Sequence, residues 1–369
     1  MEQLKPQQTT VYFPNLDGFR TISFLIVFLG HCFILFDFGS VTPITKYINK
    51  IVGRPSIGVH FFFVLSGFLI SYLLLIEKAT YKKINIGAFY MRRILRIWPV
   101  YFMVILVSLI LSLLNKPFYY LHDINWLQIG LFLTNFNLSS TGISSLPITV
   151  LWSVAVEEQF YLVLPLLITL FSKRIFYFFP IFILLTFLFR INNVENYMIS
   201  EFHTFSVCSS LFIGCVLAYF VVHHNLSKIF ERINKYFIKI IYLLFFIFHI
   251  YRDKLFDIAI GNIWLNFIYA LIFAFVIMEQ NYSKHSFYKM QNFKLLSKLG
   301  KYTYGLYAYH MIFISLFLVL IPKVINPNAN YFIYFSLWIL ALVLSFAFAR
   351  LSYVFIEKPF LSLKKKFSR

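Results

Sequence analysis

The sequence predicts an all-α fold, a polytopic bundle of about ten transmembrane helices with both termini cytoplasmic. Three observations predict it. The chain of 369 residues is 60% hydrophobic and only 13% charged, about half the ~25% charge of ordinary soluble domains. Its apolar residues fall into ten runs near the roughly 17–25 residues that cross a bilayer as a helix. Its lysines and arginines gather on one side of those runs, as cytoplasmic loops do. A soluble core could not hold this much apolar surface, because single cores stop growing near ~250–300 residues. The 48 Phe and 25 Tyr suit lipid-facing and interfacial positions.

The runs lie at 16–37, 57–76, 98–114, 151–171, 175–190, 204–222, 236–250, 262–278, 303–322 and 331–356. A polar cytoplasmic segment, 1–15, precedes a transmembrane domain over 16–360, and 361–369 form a basic cytoplasmic tail. Met1 to Phe13 is polar and the first run has no small-residue cleavage site, so no signal peptide is expected. An even number of spans puts both ends on one side. Twenty-two Lys and Arg fall on that side and eight on the other, which makes it the cytoplasm. The 77–97 stretch is then a cytoplasmic loop, with Pro99 marking the start of the next span, and 115–150 is the largest outer loop. Segment 126–138 is too short to span and is expected to be re-entrant or to lie at the surface.

A net charge of +19 would suggest nucleic acid in a soluble protein. Here it is explained by cytoplasmic loops touching anionic membrane lipid. Cys32, Cys208 and Cys215 all sit in apolar stretches with no metal-ligand spacing. They are read as packing residues, and no metal is expected.

Charged residues inside apolar spans are costly and tend to face a cavity or the bundle interior. Arg20 and His31 are eleven residues apart, which at ~100° per residue puts them on one helix face, ~16 Å apart along the axis. With a cytoplasmic N-terminus, Arg20 lies near the inner surface, where Asp17 is placed to orient it, and His31 lies deep. That pair suits a ligand with charge at one end and a reactive group on a long arm. It also suits a snorkelling arginine and a histidine bonded to a neighbouring helix. In FYMRRILRIWP, Arg92, Arg93 and Arg96 recur at i, i+3 and i+4, so a helix brings three guanidinium groups together. Such forks bind phosphate bidentately, and they also anchor topology. Ser66 and Gly67 are small residues at mid-span, where a helix or a ligand can approach. Glu157 and Glu158 enter from the outer side and reach about the depth of His31. They point ~100° apart, so they do not share one role. A carboxylate here could orient His31 or grip a hydroxyl, or form a plain interhelical pair. His60 and His310 could line a cavity or bond across helices.

The strings LDGFRTISFLIVFLGH, GVHFFFVLSGFLI, FYMRRILRIWP, LWSVAVEEQFYL, KYTYGLYAYH and EKPF run in this order from residue 16 to 360. In that order they resemble membrane-bound acyltransferase family 3, the O-antigen and exopolysaccharide O-acyltransferases. The resemblance implies an acyl-CoA donor entering from the cytoplasm and a central role for Arg20 and His31. Many relatives have an acid where this chain has His60, which removes the family's support for a role there. The expected mechanism holds the donor phosphates on Arg20, Arg92, Arg93 and Arg96 and threads the arm past Ser66 and Gly67. His31 then acts as general base, oriented by Glu157 or Glu158. The expected product is an O-acyl, most simply O-acetyl, ester on a cell-surface glycan or lipid-linked sugar at the plasma membrane. A transporter of lipid-linked glycans or acyl donors is the alternative, but it does not require a one-sided arginine cluster aligned with one deep histidine.

Overall fold

The computed structural model describes residues 12–35, 43–114, 124–142, 146–171, 174–256, 258–324 and 331–367. Parts of the 115–150 segment and the extreme ends of the chain lie outside the described residues. The described residues are helical and contain no strand.

Ten long helices occupy the ten apolar runs: α1 Pro14–Leu35, α2 Ser56–Tyr81, α3 Ile86–Leu114, α4 Leu151–Leu170, α5 Ile175–Asn192, α6 Thr204–His223, α7 Lys235–Leu255, α8 Ile258–Tyr282, α9 Thr303–Val324 and α10 Tyr331–Ser352. Eight stretches of the described residues are long and apolar enough to cross a membrane. The chain is a multi-pass membrane protein. In α7, Lys235, Lys239, Arg252, Asp253 and Lys254 interrupt the apolar run, and among its described residues only Ile238 and Arg252 are buried.

Helix α2 is the central one and packs against α1, α4, α6 and α8. Its closest approach is to α6, and glycines permit it. A Cβ on Gly67 would strike the backbone carbonyl of Leu211, and one on Gly214 would strike the backbone of Val64 and Phe68. The two helices therefore meet backbone to backbone, the contact that small residues allow between membrane helices. Gly67 faces this seam. Cys32, Cys208 and Cys215 are buried packing residues with free thiols.

Two expectations about the arginine-rich region are corrected. The stretch 77–97 is not a loop, and the third helix does not begin at Pro99. Helix α2 continues to Tyr81, where Lys82 takes a left-handed conformation (φ 61°) and stops it. Helix α3 begins at Ile86, because the Asn85 side chain accepts the Ala88 N–H at 3.1 Å and so caps it. Only 82–85 connect the two. Pro99 lies inside α3, as proline can in membrane helices whose neighbours supply partners. Arg92, Arg93 and Arg96 are thus carried on a continuous helix.

The short segment folds as two small helices, Trp126–Gly130 and Thr134–Thr141. Tyr101 of α3 holds them by donating to the Ile129 carbonyl at 2.7 Å and stacking on Phe132 at 4.1 Å. Past Ser352, α10 runs into one π-helical turn, Tyr353–Glu357, and then a helix over Lys358–Leu363.

The glycine seam generates a direct prediction. Gly214→Leu should lower the thermal unfolding temperature of the detergent-purified protein, because overpacking costs about 1–3 kcal/mol or more. Gly130→Ala, whose added Cβ meets nothing within 4 Å, should leave that temperature close to wild type. An unshifted Gly214→Leu would mean that α2 and α6 do not touch there.

Candidate active site

An elongated cavity of about 480 Å³ lies between α1, α2, α3, α4 and α9. Along α2 its lining extends from Leu73 to Val59, fourteen residues and about 21 Å of helix rise. Its middle is walled by Phe62, Leu65 and Leu69.

Cations collect on this lining. Arg20 enters from α1 and is ion-paired with Asp17, one turn earlier. Tyr12 donates to the other oxygen of Asp17 at 2.7 Å. That carboxylate therefore orients Arg20, as the one-turn spacing predicts. Arg93 lies over the rings of Phe89 and Tyr161 at 5.9 and 5.8 Å. Arg96 is exposed, lines the cavity and has no hydrogen bond or ion pair among the described residues. Lys301 lies over the Tyr302 and Tyr353 rings at 4.6 and 5.7 Å. The structure thus brings Arg20, Arg93, Arg96 and Lys301 to one cavity.

Arg92 is not among them. It pairs with Glu77 at 3.5 Å and donates to the Phe367 carbonyl at 2.7 Å, which ties the C-terminal segment to α3. The three arginines that look equivalent in sequence have divided into two tasks.

The two glutamates divide as well, as their angular separation predicts. Glu157 lines the cavity and accepts a hydrogen bond from the Ser66 hydroxyl at 2.6 Å. Glu158 faces α3 and accepts from the Trp98 indole N–H at 3.2 Å, and its second oxygen is buried without a partner. Ser66 thus lines the cavity, whereas Gly67 packs on α6.

His31 is not part of the lining. It is paired with a histidine from α9 rather than with a glutamate: His31 Nδ1 lies 3.1 Å from His310 Nε2. His310 Nδ1 lies 2.7 Å from the Tyr307 carbonyl. Tyr307 does line the cavity, and its hydroxyl is 2.7 Å from Ser153 Oγ on α4. His31 is therefore linked to the cavity through His310 and Tyr307. His60 is buried elsewhere, with Nδ1 2.8 Å from Ser210 Oγ across the α2–α6 seam.

Sequence reasoning misses Lys301, Tyr307 and Glu357. Glu357 is 6% exposed, lines the cavity, and has one carboxylate oxygen without a partner. The π-helical turn carries it and Tyr353, and such turns recur at functional sites. The signals were present, since Lys301 opens KYTYGLYAYH and Glu357 opens EKPF. Nothing local says that these strings fold onto Arg20. Among the described residues no group of three or more His, Cys, Asp or Glu could hold a metal.

Comparison with known proteins adds a second line. An acyltransferase domain, family 3, matches residues 13–353. The O-acetyltransferase OatA of Staphylococcus aureus strain NCTC 8325 is 28% identical over 393 residues, covering 97% of this chain and 58% of its own length. A Staphylococcus aureus strain COL protein, provisionally named an O-acetyltransferase, is 30% identical over 381 residues, covering 95% of this chain and 57% of its own. The chain thus spans less than two thirds of the length of these curated relatives. No solved structure gives a significant match.

The division among the arginines can be measured without substrate. Arg92→Ala removes a charged hydrogen bond to a carbonyl and should cost about 1–2 kcal/mol of stability. Arg96→Ala removes no internal bond and should leave the unfolding temperature unchanged. Equal losses in the two variants would contradict the assignment.

Proposed function

Because this chain belongs to membrane-bound acyltransferase family 3, we propose that it transfers an acetyl group from acetyl-CoA to a hydroxyl of a cell-surface glycan or lipid-linked sugar. The observation that carries the reading is a cavity with several cations on its wall, a long apolar middle and Tyr307, the link to His31, on its lining. A phosphate-bearing head, a narrow arm and a reactive thioester fit that sequence of surfaces. The names of the relatives support acetyl as the group moved. The charge bias of the loops supports a cytoplasmic arginine side, and in this reading the membrane is the plasma membrane.

In this reading Arg20, Arg93, Arg96 and Lys301 hold the phosphates of the donor, with Arg forks making the bidentate contacts. Arg92 acts at a distance by fixing the C-terminal segment. The arm passes Ser66 and Glu157, the polar step in the apolar middle, where a carboxylate can accept an amide N–H. The acyl end extends past Tyr307, at the end of the lining, to reach His31 outside it, and there His31 takes the proton of the acceptor hydroxyl. The hydroxyl oxygen bonds to the acyl carbon, the carbon–sulfur bond breaks, and His31 returns the proton to the leaving thiolate of CoA. Glu158 supports α3 through Trp98.

The test is transfer of labelled acetyl from acetyl-CoA to a sugar acceptor by the purified protein in vesicles. His31→Ala should lose about 10²–10⁴-fold of transfer, the contribution of a positioned general base, while remaining inserted and binding donor. Arg93→Lys and Arg96→Lys keep the charge but lose the fork. They should raise the donor KM by about 10-fold each, the size of a ~1.4 kcal/mol loss. Normal transfer by His31→Ala would remove the base. Lysine variants that match wild type would make the arginines topology anchors. Movement of a lipid-linked glycan without any acyl transfer would favour the transporter.

A further inference from the structure

His31 and His310 lie 279 residues apart in sequence, yet their ring nitrogens approach to 3.1 Å. The direction of the hydrogen bond between them follows from the atom at the far end. His310 Nδ1 is 2.7 Å from the carbonyl oxygen of Tyr307. A carbonyl oxygen can only accept, so Nδ1 of His310 carries the hydrogen. In a neutral imidazole the other nitrogen then holds a lone pair, so Nε2 of His310 is an acceptor. The atom facing it, Nδ1 of His31, must donate. That leaves the lone pair of His31 on Nε2, the nitrogen that points away from the pair.

The enclosure fixes this order. His310 is fully buried. Its ring is packed edge-on against Phe24 at 5.8 Å and tilted against Phe28 at 6.3 Å, both from α1. Tyr307 is itself pinned, its hydroxyl 2.7 Å from Ser153 Oγ and 3.3 Å from the Val150 carbonyl. The carbonyl at the head of the chain is thus positioned from the end of α4, the helix that also carries Glu157.

We propose that His310 is a positioning residue that sets the tautomer and ring plane of His31, so that Nε2 of His31 is the base. The inference rests on reading His31 as the base of acyl transfer. When the acceptor hydroxyl gives its proton to Nε2, the hydroxyl oxygen forms the new ester bond and the thioester carbon–sulfur bond breaks. His31 is then protonated on both nitrogens, and its Nδ1–H still has His310 Nε2 as acceptor. The leaving thiolate takes the proton from Nε2, which returns the pair to its starting order. Which nitrogen carries the proton is set by the bond the other one makes.

Nitrogen NMR of ring-labelled histidine in the purified full-length protein reads the tautomer directly, with His31→Ala identifying the signals. Wild type should show His31 protonated at Nδ1 and bare at Nε2. His310→Leu removes one of the two acceptors beside the His31 ring, the other being the Val27 carbonyl, and should weaken that preference, with transfer falling about 10²–10⁴-fold and the donor KM within about two-fold of wild type, a change under ~0.5 kcal/mol. His310→Gln returns an acceptor oxygen and an N–H donor to the same space. It should recover the Nδ1-protonated form and most of the lost rate. Protonation at Nε2 in wild type would overturn the inference, and so would wild-type transfer by His310→Leu. Full transfer by His31→Ala would overturn the base reading itself, a result read independently of the tautomer.

Discussion

An ionisable side chain carried into an apolar bundle needs a partner or a polar cavity, and that constraint organises this protein. Arg20 has Asp17, Arg92 has Glu77 and a backbone carbonyl, Glu157 has Ser66, and His310 has His31 and Tyr307. Arg96 and one oxygen each of Glu158 and Glu357 have no such partner among the described residues, and of these Arg96 and Glu357 line the cavity. Groups left open on the cavity wall are groups available to a ligand.

The scaffold that maintains the cavity is mostly apolar and closely packed. The glycine seam between α2 and α6 brings two backbones together and fixes the helix that supplies much of the cavity wall. Tyr101 and Phe132 hold the short helices over 126–141 against α3, and Gln159 bonds the Phe132 carbonyl and Asn135. The polar atoms of that non-spanning segment therefore find protein partners, the condition for irregular backbone beside a membrane core. Function in this account depends on rigid placement. The cations and Tyr307, through which His31 is reached, are carried on different helices.

Much of this was legible in the sequence because it is local. Hydropathy located all ten long helices, and helical spacing correctly put Asp17 beside Arg20 and sent Glu157 and Glu158 to different faces. What was hidden depends on long-range packing. Pro99 looked like a helix start because proline often is one, but Asn85 caps the helix earlier. Arg92, Arg93 and Arg96 looked like one cluster, but Glu77 and the C-terminal segment claim the first of them. His310, Lys301 and Glu357 reach the α1 side of the bundle only after some three hundred residues have folded back. No periodicity records such a return.

If one path joins the cations to the neighbourhood of His31, the acyl end of a bound donor lies beside Tyr307. A photoreactive acyl-CoA analogue, with its photophore at the acyl end, tests it most directly when the labelled peptides are mapped by mass spectrometry. Labels are expected at the far end of the lining, on Val59, Phe63, Ser153, Val154 or Tyr307, all suppressed by excess CoA. Labels confined to Arg93, Arg96 and Lys301, or labels that CoA does not suppress, would contradict it.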